Sequence, residues 1–124
     1  MHIPVELKYT KDHEWARVEG DVATIGITDY AQSELGDIVF IELPEIGRKT
    51  KQAESFGTIE AVKAVSDLFA PLSGEIIEIN NTLTDQPEVI NKDPYGEGWL
   101  VKIKFADQSE IANLLDKSKY EELI

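Results

Sequence analysis

Apolar residues along this chain fall in short runs, alternating with polar ones and broken by Gly, Pro and acidic turns, a spacing that predicts strands for most of its length. In "EWARVEGDVATIGIT", two β-rich runs flank Glu19-Gly20-Asp21, which reads as a hairpin; the second run alternates Val22, Thr24 and Gly26 against Ala23, Ile25 and Ile27. "TDYAQSELG" places Asp29 three residues before Gln32 and closes on Gly36, the pattern of a short capped helix. "DIVFIELPEIG" reads as a strand ended by Pro44, which cannot donate to a ladder. "GDIVFI" and "GEIIEI", at Gly36 and Gly74, resemble one another, and two such strand units suggest a sandwich with approximate internal symmetry, although so short a repeat also arises by chance. "NTLTDQPEVINKDPYGEGW" predicts a helical turn and a loop, and "WLVKIKF" a strand. The end turns helical, with Asp107 and Glu110 as a capping box ahead of Ile111, Leu114 and Leu115, and Ser118 with Glu121 repeating the device.

One stretch resists the pattern. In "GTIEAVKAVSDLFAPLSGEI", Ile59, Val62, Val65 and Phe69 suit a helix, while Ile59 and Ala61 alternating with Thr58, Glu60 and Val62 suit a strand. The flanks favour strands, because Pro71 biases Ala70 toward extended backbone. Lys63 then falls at or near a hairpin tip, with branched aliphatics fixing the hairpin to the body and small neighbours keeping the tip accessible.

Composition narrows the function. The 124 residues make one domain, 1–124. Acidic residues outnumber basic ones 24 to 12, a net charge of −12, and such a field repels phosphate backbones and anionic lipid. Arg48, Lys49 and Lys51 are too few for a polyanion groove and read as a solvated turn. No cysteine is present, so any thiol chemistry must be borrowed. Nothing approaches the roughly twenty apolar residues of a membrane span, and the expected location is the cytoplasm, a processed mitochondrial form being equally compatible.

The candidate chemistries are mostly weak. His13-Glu14 lacks the second histidine of a zinc-protease motif, since Arg17 stands there, and His2 lies at the terminus. Gly96-Glu97-Gly98 lacks a third glycine and reads as a turn. Trp15 and Trp99 read as packing residues. With so many carboxylates, acid pairs arise by accident, and on composition alone Lys63 is a solvated turn lysine.

A larger pattern changes that reading. "HEW" at His13, "GDVATIGITDYAQSELGDIVFIELPEIG" from Gly20, "IEAVKAVSDLFAPLSGEIIEIN" from Ile59 and "DPYGEGWLVKIK" from Asp93 together closely resemble the H-protein family of the glycine cleavage system. The resemblance implies a mainly β fold, a barrel-sandwich hybrid of the biotinyl/lipoyl carrier type with short peripheral helices and a C-terminal helix. It implies a non-catalytic, monomeric carrier with lipoate attached to Lys63 as N6-lipoyllysine. The core segment, an acid and then Lys-Ala followed by Ala-Pro-x-Ser-Gly, looks like a lipoyl hairpin; a biotin carrier would have methionines where Val62 and Ala64 stand.

The resemblance also implies partners. A pyridoxal-phosphate glycine decarboxylase (P protein) would load an aminomethyl group, a tetrahydrofolate-dependent aminomethyltransferase (T protein) would unload it, and dihydrolipoamide dehydrogenase (L protein) would reoxidise the dithiol. A lipoate ligase or octanoyltransferase would modify the lysine. The loaded arm is expected to fold into a cleft where Glu14 contacts its amine. Two positions depart from the family pattern: Glu34 stands where relatives often have histidine, and Ala61 replaces the serine of Glu-Ser-Val-Lys. A relay that passes octanoyl or lipoyl groups to other proteins is the alternative role, and a hydrolase using His13 and Glu14 a distant third.

Overall fold

The hairpin of β2 (Glu14–Glu19) and β3 (Val22–Ile27) pairs Trp15 directly with Gly26. A Cβ at position 26 would lie 2.4 Å from the Trp15 indole, so the missing side chain is the space the ring occupies. Trp15 is thereby fully buried, and its Nε1 donates to the Pro94 carbonyl at 3.0 Å. The computed structural model describes residues 1–124.

Strands β1 (Lys8–Tyr9), β4 (Ile38–Glu42), β5 (Lys49–Thr50), β6 (Ser55–Ala61), β7 (Val65–Phe69), β8 (Gly74–Ile79) and β9 (Val101–Lys104) complete two antiparallel sheets. The larger has the order β1-β2-β3-β9-β8-β5 and the smaller β4-β6-β7. Ile25, Ile76 and Ile103 of the larger sheet and Ile41, Ile59 and Leu68 of the smaller share one apolar core, which the expected mainly β sandwich requires. A second cluster joins Trp15 and Tyr9 to Ile3, Leu7 and Tyr120.

The short repeat proves structural. Pairing shifts between Ile38 and Phe40 in β4 and between Ile76 and Glu78 in β8, the same place in each unit. Both units bury the first isoleucine and expose the next two residues, because an irregularity of this kind interrupts the two-residue alternation of side chains. The two copies lie in opposite sheets.

Helix α1 (Asp29–Leu35) forms where expected, but its cap is Thr28, whose hydroxyl accepts from the Ala31 N–H at 3.1 Å. Asp29 is the first helical residue instead, and accepts from Gln32 Nε2 at 2.8 Å. Helical turns α2 (Thr82–Asp85) and α3 (Val89–Lys92) follow β8. Asn91 of α3 donates to the Gly36 carbonyl and accepts from the Ile38 N–H, at 2.8 and 3.0 Å, tying the end of α1 to β4.

A 3-10 helix at Gln108–Asn113 is capped by Asp107, as expected. Glu110 does not complete a box; both its oxygens are taken by Ser73, from the backbone N–H at 2.8 Å and the hydroxyl at 2.7 Å. The C-terminal helix α4 (Lys117–Leu123) is capped by Asp116, which accepts from the Lys119 N–H, and Ser118 lies inside it. No helix is long and apolar enough to cross a membrane.

Candidate functional site

Strands β6 and β7 form the hairpin that carries Lys63, and their pairing resolves the helix-or-strand ambiguity of this stretch. The Ala61 N–H donates to the Ala64 carbonyl at 2.7 Å, closing the turn, and the Val62 N–H donates to the Asp37 carbonyl at 3.0 Å, fastening the tip to the start of β4. Lys63 is exposed. Anchoring comes from Phe56, Ile59 and Leu68, all buried, whereas Val62 and Val65, expected to help, point to solvent. A two-residue alternation continued up to the tip leaves these two valines on the outer face.

The Lys63 stem runs past Gly36, which ends α1 with φ +77°. A side chain at position 36 would be strained by that dihedral, and its Cβ would sit 3.4 Å from Lys63 Cε. Position 36 therefore suits glycine for its backbone, while the lysine above it would meet a Cβ only at ordinary contact distance.

Next to Gly36 begins a cleft of about 260 Å³ between α1 and β7. Ile27, Ala31, Leu35, Ile59 and Leu68 supply its apolar lining, and Asp12, Glu14, Glu34 and Asp67 its carboxylates. Glu14 and Glu34, singled out from the sequence, thus meet here; Lys63 stands outside, beside the residue that follows Leu35. A second cavity of about 310 Å³, bordered by Gln52, Phe69 and Leu114, shares Asp12 and Glu14 with the first.

Glu14 is a carboxyl held almost entirely out of water, 1% exposed, at the start of β2. Its Oε1 accepts from the Thr10 hydroxyl at 2.5 Å and its Oε2 from the Phe69 N–H at 3.3 Å. Burial pushes its pKa up to about 8 in spite of these two bonds, with the nearby Asp12 adding to the rise. At neutral pH the resting side chain is mostly the neutral acid. A cation entering the cleft would favour the carboxylate, so Glu14 answers to the charge of whatever is bound.

His13 lies just before β2, half-buried and bordering the cleft, with φ 71°. Its Nδ1 is 2.8 Å from the Tyr120 hydroxyl, which is 2.7 Å from Thr28 Oγ1. Burial lowers the His13 pKa against the opposing pull of Asp12 and Glu34, so the ring is neutral at pH 7. The C-terminal helix, through Tyr120, thus fixes both a cleft wall and the cap of α1.

Sequence reasoning missed Asp12, Asp67 and Tyr30 as lining residues. Asp12 and Asp67 lie close in sequence to Glu14 and Lys63, which is a usable signal; Tyr120 has none, since its partners are 92 and 107 residues away. The remaining sequence candidates lie apart. Lys49 pairs with Glu75 at 2.6 Å on the surface, and Gly96-Glu97-Gly98 wraps Asp93 as a turn. No group of three or more His, Asp or Glu side chains is placed to hold a metal ion.

A family model described as glycine cleavage H-protein matches residues 7–124. Glycine cleavage system H proteins of Bacteroides thetaiotaomicron and Staphylococcus carnosus are 57% and 55% identical, each over 100% of this chain and 98% of theirs. That of Symbiobacterium thermophilum is 53% identical over 97% of this chain and 94% of its own. The crystal structure of a glycine cleavage system H protein from Mycobacterium marinum matches with a TM-score of 0.86 and 41% identity, covering 97% of both chains.

Proposed function

The chain belongs to the glycine cleavage H-protein family, and on that premise we propose that it is a single-domain, monomeric, non-catalytic carrier holding a lipoyl group in amide linkage on Lys63. The observation that carries this reading is an exposed lysine on a closed hairpin tip beside a cleft with an apolar lining and acidic side chains.

The residues present fit such a group. A cleft of about 260 Å³ falls just below the roughly 300–1,000 Å³ common for ligand pockets, which suits a slender hydrocarbon chain better than a broad cofactor. Ile27, Leu35 and Leu68 match its apolarity. Amide formation removes the Lys63 charge, so the arm no longer carries a cation along its length. Bound there, the lipoyl group would supply the disulfide, absent from a chain without cysteine, that takes up the aminomethyl group of glycine as it is reduced, and whose dithiol, left once that group is released, is reoxidised.

The chain's own residues present, receive and shield. The hairpin, tied to Asp37, keeps Lys63 exposed at its tip so that successive active sites reach the arm. Glu14 receives the amine end of a loaded arm: it gives up its proton as the cation arrives, and Asp12 and Asp67 add to the attraction. The cleft walls keep water from a hydrolysis-prone adduct. P protein, T protein and L protein are the partners served, and a lipoate ligase or octanoyltransferase the modifying enzyme, in the cytoplasm. An octanoyl or lipoyl relay needs no amine-binding acid, so the buried Glu14 favours glycine cleavage over that role.

Mass spectrometry of the Lys63 peptide from host cells supplied with lipoate tests the proposal. A lipoyl adduct on Lys63 is expected; an unmodified peptide contradicts it.

A further inference from the structure

Lys63 is one of ten lysines, most of them exposed, so an enzyme that acylates it must read something other than an amine. Antiparallel pairing sets Phe40 opposite Glu60 and Glu60 opposite Val65, and residues directly opposed across strands share a face. Phe40 and Val65 are 53% and 68% exposed, so this row lies on the outer face of the smaller sheet. The irregularity in β4 leaves Val39 49% exposed beside them, and Val62, next to the lysine, is 75% exposed.

Other exposed large apolar residues are mostly at the termini or single, as on Ile46. Exposed apolar residues grouped on one face among polar groups mark an interaction site. Here Glu60 stands within the row, and Glu42 and Asp37 are exposed at either end of β4. We infer that this ridge is the docking surface of the enzyme that forms the amide at Lys63, and that the enzyme meets it with an apolar socket bordered by basic side chains. The inference rests on the lipoyl-carrier reading.

Distance singles out this partner. Enzymes that act on the far end of an acylated arm work at the arm's length from the hairpin. The amide-forming enzyme works at Nζ itself, one side chain from the backbone, and must touch the residues beside it. In that step the unprotonated Nζ attacks the carbonyl of an activated acyl donor, an acyl adenylate or acyl thioester. The N–C bond forms, the bond to adenylate or thiolate breaks, and the amine proton passes to a base. The chain's net charge of −12, with three acids around the ridge, complements a basic rim and speeds encounter.

The test uses purified lipoate ligase with lipoate and ATP, and follows Lys63 modification by mass spectrometry. Phe40→Glu and Val65→Glu are expected to lower kcat/KM at least tenfold, and Ile46→Glu, on a distant turn, to leave it unchanged. Thermal unfolding identifies any variant that fails to fold, in which case the other decides. Modification of both variants at the wild-type rate overturns the inference. So does normal modification with lost glycine–bicarbonate exchange, which assigns the ridge to the decarboxylase. A wild-type Lys63 that the ligase never modifies removes the inference together with the reading beneath it, whereas a modified wild type with unaffected variants removes the inference alone.

Discussion

Lys63 lies across Gly36: a Cβ there would be 3.4 Å from Lys63 Cε, and the glycine holds φ +77° and ψ −154°. The contact is an ordinary one, but the dihedrals belong to a region that residues with a side chain rarely adopt. Gly36→Ala is therefore expected to cost about 1–3 kcal/mol of stability, through backbone strain. Urea unfolding measures it, and a loss below a few tenths would show that the end of α1 relaxes freely.

Glu14 makes a pH prediction whose sign is opposite to that of an ion-paired carboxylate. Its folded pKa of about 8 exceeds the ordinary glutamate value of 4.5, so between these values the folded chain binds the extra proton and stability falls as pH rises. The contribution is complete below about pH 4.5 and lost above about pH 8. Glu14→Gln removes the dependence. The stability of this variant relative to wild type should increase by a few kcal/mol from pH 5 to pH 8 and then level off. Denaturation across that range checks it, and a flat difference would mean that Glu14 titrates normally.

Gly26→Ala tests the packing under Trp15. The added methyl would meet a fully buried indole at 2.4 Å, and that ring is held by its bond to the Pro94 carbonyl. Overpacking of this kind costs about 1–3 kcal/mol. Guanidinium unfolding should record that loss, and Trp15 fluorescence should shift with it.

Tyr120→Phe removes the hydroxyl that joins His13 to Thr28. Loss of such bonds costs about 1–2 kcal/mol, and the half-buried His13 Nδ1 loses its partner. Histidine NMR should show a changed His13 tautomer and titration, while far-UV circular dichroism stays unchanged. An unaltered His13 signal would mean that α4 does not hold the cleft wall.

The strands were legible because their alternation is regular and their turns carry Gly20 and Pro44, and the hairpin because Pro71 and Gly57 flank it. The cap of α1 slipped by one residue because Thr28 and Asp29 are adjacent and both able to cap; the one three residues before an unpaired N–H was Thr28. Glu110 carried a capping-box signal but had a better partner in Ser73, from another part of the chain. At the site, Glu14 and Lys63 were reached through family resemblance, since neither local pattern departs from a surface charge. What no local reading supplies is the burial that makes Glu14 a neutral acid, for it comes from β7 and α1 closing over β2.

The central claim, that Lys63 carries the group through which this chain serves glycine cleavage, is tested most directly by reconstitution with P protein, following exchange of labelled bicarbonate into glycine. Lipoylated wild type should support exchange, and Lys63→Arg, which keeps the charge but cannot be acylated, should reduce it to the level without carrier. Full exchange with Lys63→Arg, or none with the lipoylated wild type, would contradict the account.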